Sequence, residues 1–253
     1  MIKYYAVTHP GYKRTRNEDC FFIGNSQLPT EGRTFFDHLD MAVCDGMGGE
    51  HFGDEASQAA IDVLYRYCCQ NTDFDSMAEN RILEVCLQAN QAVCDVTKAK
   101  GALAGSTLCF VRFFKKQVVL ANVGDSRIYR VREGRLEQLS VDHSVIGRLL
   151  RNGEISREEA KNHPAAHKLT QHLGIDPEDM LIEPYIITET VRAEDIYLIC
   201  SDGLTDMVED SEILNILNED SSLGNRGNKL LESALSRGGK DNITIALAEI
   251  WRF

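Results

Sequence analysis

Apolar positions along this chain recur with two periods, and the changes from one to the other outline its elements. Runs rich in β-branched and aromatic residues predict strands at Ile2–Thr8, Cys20–Ile23, Met41–Cys44, Thr107–Phe114, Val118–Val123, Arg127–Val131, Leu181–Thr188, Ile196–Cys200 and Ile243–Ile250. In RIYRVREGRLEQLS, Glu133 and Gly134 mark the turn of a hairpin. Helical spacing puts Ala56, Ala59, Ala60, Val63, Leu64 and Tyr67 on one face of a first helix. The same spacing puts Ile82, Cys86, Ala89, Val93 and Val96 on one face of a second. Each helix has a single apolar stripe, so each should lie on a sheet. Two later helices are expected around Ser211–Leu217 and Asn228–Arg237.

Between Asp142 and Asp179 the pattern breaks into short polar pieces interrupted by Gly and Pro, with Ser156 and Glu159 spaced as a capping box. Residues 142–180 therefore read as an insert beside the rest of the fold and not as a domain of their own. Strands follow one another through short turns, which favours antiparallel pairing, and neither βαβ alternation nor a 20–50-residue repeat is evident. The expectation is one α+β domain over residues 1–253.

Composition narrows the setting. The net charge of -12 argues against nucleic acid or an anionic membrane as partner. No leader-like segment opens the chain and no apolar run is long enough to span a bilayer, so a cytoplasmic protein is expected. The eight cysteines have no CxxC pair and no zinc spacing; Cys44, Cys109 and Cys200 sit in apolar strand runs, and Cys86 and Cys94 on a helix. They read as buried reduced thiols.

Chemistry enters with five aspartates, each set where an apolar run meets a small residue: Asp19 in RNEDC, Asp45 in MAVCDGMGG, Asp125 in ANVGDSR, Asp202 in LICSDGL and Asp241 in GGKDNIT. An unpaired carboxylate at the end of a buried strand is expensive. Five of them suggest strand ends converging on something strongly positive, and all-oxygen sites suit Mg2+, Mn2+ or Ca2+. Arg14, four residues before Glu18, is either a salt-bridge partner or a forked clamp for phosphate oxygens.

GxxRxxNED, DGMGG, NVGDSR, SDGLTD and GGKDNIT, in this order, resemble the signature segments of the PPM family of metal-dependent type 2C Ser/Thr protein phosphatases, in its compact bacterial branch. The likeness runs from about Gly11 to Ile250. It implies two packed antiparallel β-sheets flanked by antiparallel helix pairs, with residues 142–180 as the family's flap. It also implies two Mn2+ or Mg2+ ions, with Asp45 bridging them and the Gly46 carbonyl on one. Asp19, Asp202 and Asp241 would then bind the other ion, Glu18 would reach it through water, Asp125 with Asp202 would hold a third, weaker ion, and Arg14 would clamp phosphate. Two ions about 3.5–4 Å apart lower the pKa of a bridging water and neutralise phosphoryl oxygens during in-line attack. The expected substrates are phosphorylated proteins, including a cognate Ser/Thr kinase and its targets, with the enzyme acting as a monomer.

The chain departs from the family in places. Met47 stands where many relatives have a histidine that protonates the leaving alcohol; His51 is the candidate substitute, and metal-bound water the alternative. Gln171 and His172 occupy a stretch that often holds an arginine. The irregularly spaced His143, His163, His167 and His172 read as a solvated face, and Asp206 as a turn residue. Two rival functions share these motifs: a catalytically silent regulatory module, and a two-metal phosphatase for small molecules.

Overall fold

A computed structural model describes the chain apart from residues 25–30, 35–37, 49–51, 71–77, 161–162, 166 and 252–253. In order, its elements are β1 (Ile2–His9), β2 (Asp19–Ile23), β3 (Glu31–Thr34), β4 (His38–Gly48), α1 (Gly53–Gln70), α2 (Glu79–Lys100), β5 (Ala104–Ser106), β6 (Leu108–Phe114), β7 (Gln117–Val123) and β8 (Arg127–Arg132). They continue with β9 (Arg135–Gln138), α3 (Val145–Arg151), α4 (Arg157–Ala160), β10 (Tyr185–Thr190), β11 (Ile196–Cys200), α5 (Asp202–Thr205), α6 (Asp210–Leu217), α7 (Leu223–Ser236) and β12 (Ile243–Ile250). One sheet runs β3-β1-β12-β11-β8-β9 and the other β10-β7-β6-β4-β2, with β5 pairing the far end of β4.

Period-two alternation stacks these elements into four layers. On β4, Met41 and Val43 point between the sheets, while Ala42 and Cys44 point at α1 and α2. On β2, Phe21 and Ile23 join the inter-sheet core and Phe22 the helix side. A third core fills the space between the first sheet and α5–α7, through Leu198, Cys200, Ile213, Leu230, Ile245 and their neighbours. Strands buried on both faces explain why their sequences read as continuous apolar runs. In α2 the expected stripe is buried at Ile82, Cys86, Ala89 and Val93 and half-buried at Val96. No described helix is long and apolar enough to cross a membrane.

Several elements differ from expectation, each for a local reason. β10 begins at Tyr185 and not at Leu181, because Pro184 has no N–H to give and Leu181 is exposed. β3 (EGRT) and β5 (AGS) carry no apolar period and exist because β1 and β4 offer them an edge. β4 does not end at Asp45 but continues to Gly48. It leaves β6 after Val43↔Cys109 and takes up β5 from Gly46↔Ser106, so Asp45 sits where the sheet splays. At the hairpin, Glu133 and Gly134 have φ of 52° and 71°, the left-handed pair a two-residue turn needs.

A buried ion pair underlies α1. Arg112, on β6, donates to both oxygens of Asp40, on β4, at 2.7 and 3.0 Å. Its guanidinium also lies 5.1 Å from the Tyr67 ring centroid.

The 142–180 insert is stitched to the body at both ends. Asp142 accepts three hydrogen bonds from Arg127 and one from Gln138, and the His143 amide donates to the Gly124 carbonyl. At the exit, Leu173 and Ser106 exchange backbone hydrogen bonds at 2.7 and 3.2 Å. The insert thus enters beside Asp125 and leaves beside Asp45. Inside it, the Ser156 amide donates to Glu159 and the Glu159 amide to Ser156, closing the expected capping box.

Candidate metal centre

The inter-sheet stripe of Phe21 and Ile23 on β2, and of Met41 and Val43 on β4, ends in Asp19 and Asp45, which are cross-strand partners. Alternation therefore carries these two carboxylates to the mouth of the sandwich, where the apolar core stops. Asp125 follows β7, Asp202 opens α5 directly after β11, and Asp241 precedes β12.

The electrostatics record how close the five lie. Burial, then the charges of Asp19, Asp202, Asp125 and Asp241, push the Asp45 carboxyl well above the ordinary range. Burial, then Asp125, Asp206, Asp241 and Asp19, does the same to Asp202. Asp19 rises to about 6, chiefly by burial, and Asp125 to about 6 by burial and by Asp142. Among the described residues, Asp241 alone of the five forms an ion pair with a protein cation.

Smaller residues hold these groups in place. Ser201 Oγ donates to Asp19 Oδ2 at 2.8 Å. The Asp45 amide donates to Thr107 Oγ1 at 2.9 Å, and its carbonyl accepts from the Thr107 amide at 2.8 Å. Asn242 pins the loop that leads into β2: its Oδ1 accepts from the Glu18 amide at 2.8 Å, and its Nδ2 donates to the carbonyls of Pro10 and Arg16 at 2.9 and 2.8 Å. Gly46 and Gly11 are required here. A Cβ on Gly46 would lie 2.0 Å from the Gly53 carbonyl oxygen, and one on Gly11, whose φ is 76°, 2.2 Å from that of Asp241. Nothing in the sequence marks Ser201 or Thr107 as a support; Asn242, beside Asp241 in GGKDNIT, carries the only signal.

Arg14 pairs with Asp241, Nη2 to Oδ2 at 2.7 Å, and not with the sequence-adjacent Glu18 or Asp19. Residues 10–18 form a loop, so helical spacing does not apply to them. Arg16 instead meets Asp54 at 3.4 Å, and the Glu18 carboxylate lies against Gly53 at the start of α1. The four insert histidines do not share a site: His143 accepts from the Gly124 amide, His163 from the Ala165 amide, His172 lies beside Leu173 O, and His167 faces Asp206. His51 lies outside the described residues.

The donor set fits divalent cations. Among the described residues, Asp19 Oδ1 and Asp202 Oδ1 are buried with no hydrogen-bond partner, and the five aspartates offer oxygen ligands. Mutually repelling carboxylates with open lone pairs are what hard dications neutralise.

Comparison with known proteins agrees. The family model for protein phosphatase 2C matches residues 32–236. A serine/threonine phosphatase stp of Listeria welshimeri serovar 6b is 38% identical over 218 residues, covering 82% of each chain. The crystal structure of serine/threonine phosphatase Stp1 from Staphylococcus aureus superposes with a TM-score of 0.88 at 32% identity, over 100% of this chain and 96% of that one. The catalytic domain of serine/threonine protein phosphatase PstP, in complex with two manganese ions, does so with a TM-score of 0.83 at 30% identity, over 100% of both chains. By sequence, fold and the nature of its acidic pocket, this chain belongs to the protein phosphatase 2C family.

Proposed function

We propose that the protein is a Mn2+- or Mg2+-dependent phosphatase that removes phosphate from Ser and Thr residues of other proteins, a cognate kinase among them. The observation that carries this reading is the gathering of five carboxylates at one end of the sandwich, two with buried oxygens that have no hydrogen-bond partner among the described residues. Asp19, Asp45, Asp202 and Asp241, with the Gly46 carbonyl, would hold paired ions. Asp125 with Asp202 would hold a third, and Glu18 would act through water. When bound, such ions supply an activated nucleophilic solvent molecule and neutralise charge on the phosphoryl oxygens.

The chain's own residues do the rest. Ser201 fixes one Asp19 oxygen and leaves the other free to ligate. Asn242 holds the loop that bears Arg14, so the guanidinium stays beside the pocket as a fork for two phosphate oxygens. Asp241 engages that fork, and a ligated Asp241 would release it. The charge of -12 favours protein substrates over nucleic acid, and the enzyme is proposed to act as a cytoplasmic monomer with residues 142–180 as a substrate-facing flap within one domain.

Aryl phosphate hydrolysis with Mn2+ and then with EDTA tests the reading. Activity should depend on the metal and vanish on chelation; hydrolysis that survives full chelation would refute it. Comparing phosphopeptides with nucleotides and sugar phosphates separates a protein phosphatase from a small-molecule enzyme. A silent regulatory module would be expected to lack a metal carboxylate, and all five are present.

A further inference from the structure

Cleaving a seryl or threonyl phosphate expels an alkoxide, which must gain a proton as it leaves. The carboxylates proposed to hold cations are not free to give it. A different group lies on the face of the sheet that bears Asp45.

β4 keeps its alternation past the point where the sheet splays. The missing Cβ of Gly46 points at α1, 2.0 Å from the Gly53 carbonyl oxygen, so Asp45 and Met47 share the opposite face. On β5, Gly105 is the partner of Met47 and turns its empty side the same way: a Cβ there would lie 3.3 Å from Met47 Cγ. An imidazole from the 142–180 insert fills that space, with His172 Nδ1 3.0 Å from the same Cβ position. His172 is thus half-buried against the strands and not part of a solvated face.

The ring is also oriented. Nδ1 lies 2.8 Å from the Leu173 carbonyl oxygen, which can only accept, so Nδ1 carries a proton and Nε2 is the nitrogen left to exchange one. Among the described residues, no hydrogen bond engages Nε2. The backbone that follows is fixed, since Leu173 exchanges hydrogen bonds with Ser106 and the Gly174 amide donates to Asn90 Oδ1 at 2.8 Å.

We infer that His172 is the general acid of the reaction, a catalytic residue that protonates the leaving seryl or threonyl oxygen. This rests on the proposed phosphatase function. The loop bearing Arg14 leads into β2, on one side of β4, and β5 with His172 lies on the other. A phosphate clamped by Arg14 above Asp45 therefore has His172 on its far side, where the ester oxygen is placed. As the attacking water oxygen bonds to phosphorus and the ester bond breaks, the Nε2 proton of the imidazolium passes to the ester oxygen. The alcohol leaves neutral, and the imidazole regains a proton from solvent, which takes the one lost by the attacking water. Met47, on the same face, has a thioether and no proton to give.

Leaving-group dependence tests the inference, because p-nitrophenolate departs unprotonated and a seryl oxygen does not. His172→Asn keeps a donor at the Nδ1 position but cannot give up a proton. With Mn2+ present it should lower kcat on a phosphoserine peptide by about 100-fold, the low end of general acid catalysis, and on p-nitrophenyl phosphate by less than about threefold. Across substituted phenyl phosphates, log kcat should fall more steeply with leaving-group pKa than in wild type. His172→Gln should match His172→Asn, and His163→Gln, elsewhere in the insert, should match wild type. The ratio of the two rates is what is read, so loss of folded protein, which lowers both alike, cannot mimic the result. A ratio and slope unchanged from wild type would overturn the inference and leave the phosphatase reading intact. Wild type inactive on both substrates would overturn both.

Discussion

At the scale of single residues, the proposed ligand set would trade stability in the absence of metal for metal affinity. Asp202 is held near four other acidic groups and is kept above its ordinary pKa by burial and by their charge. Asp202→Asn should therefore raise the ion-free melting temperature at neutral pH, while Mn2+-dependent turnover falls by more than about 100-fold, the upper end of what removing mere supporting partners of a ligand costs. Thermal unfolding in EDTA beside an aryl phosphate assay reads both; unchanged turnover would remove Asp202 from the ligand set. Arg14→Ala should raise KM for phosphoester by roughly tenfold with a smaller change in kcat, as expected when a ground-state clamp is lost and the nucleophile is untouched. An unmoved KM would leave Arg14 only its ion pair with Asp241. The aspartates were legible because a carboxylate that ends an apolar run is chemically conspicuous. Ser201, Thr107 and Asn242 were not, since such residues at strand ends have many local uses and only tertiary contact singles one out.

At the scale of elements, apolar runs identified most strands because both faces of both sheets are covered, but they were silent where pairing and not side-chain burial makes the strand. β3 and β5 are such cases, and β5 matters most, since it draws β4 past Asp45 and opens the sheet where the carboxylates gather. The Arg112–Asp40 pair was equally hidden, because an arginine in an apolar run gives no sign of its partner on the next strand. Burial opposes ionisation of Asp40, but His38 and Arg112 outweigh it and hold its carboxyl below the ordinary range. Its folded value thus lies under its unfolded one. The stabilisation is complete above the unfolded value of 3.8 and disappears as pH falls through the folded value. Asp40→Ala, which strands a buried guanidinium, should cost about 3–5 kcal/mol in urea unfolding at neutral pH. It should also flatten the acid limb of the stability profile; a loss below about 1 kcal/mol would mean that Arg112 finds another partner.

For the whole molecule, periodicity predicted helices lying on sheets and the change of character at Asp142 marked the insert, while the four-layer order came from the family resemblance. That the insert would be tied to the strand ends bearing Asp125 and Asp45 had no such sign, because those ties include backbone hydrogen bonds through Gly124 and Ser106 that any sequence can make. Five carboxylates of this chain of net charge -12 gather at one end of the sandwich, and that end is where ions should act. Anomalous diffraction from a crystal grown with Mn2+ measures this most directly. At least two peaks are predicted among Asp19, Asp45, Asp202 and Asp241, each with carboxylate oxygens at about 2.1–2.2 Å. Ordered aspartates turned away from one another, with no anomalous peak between them, would contradict it.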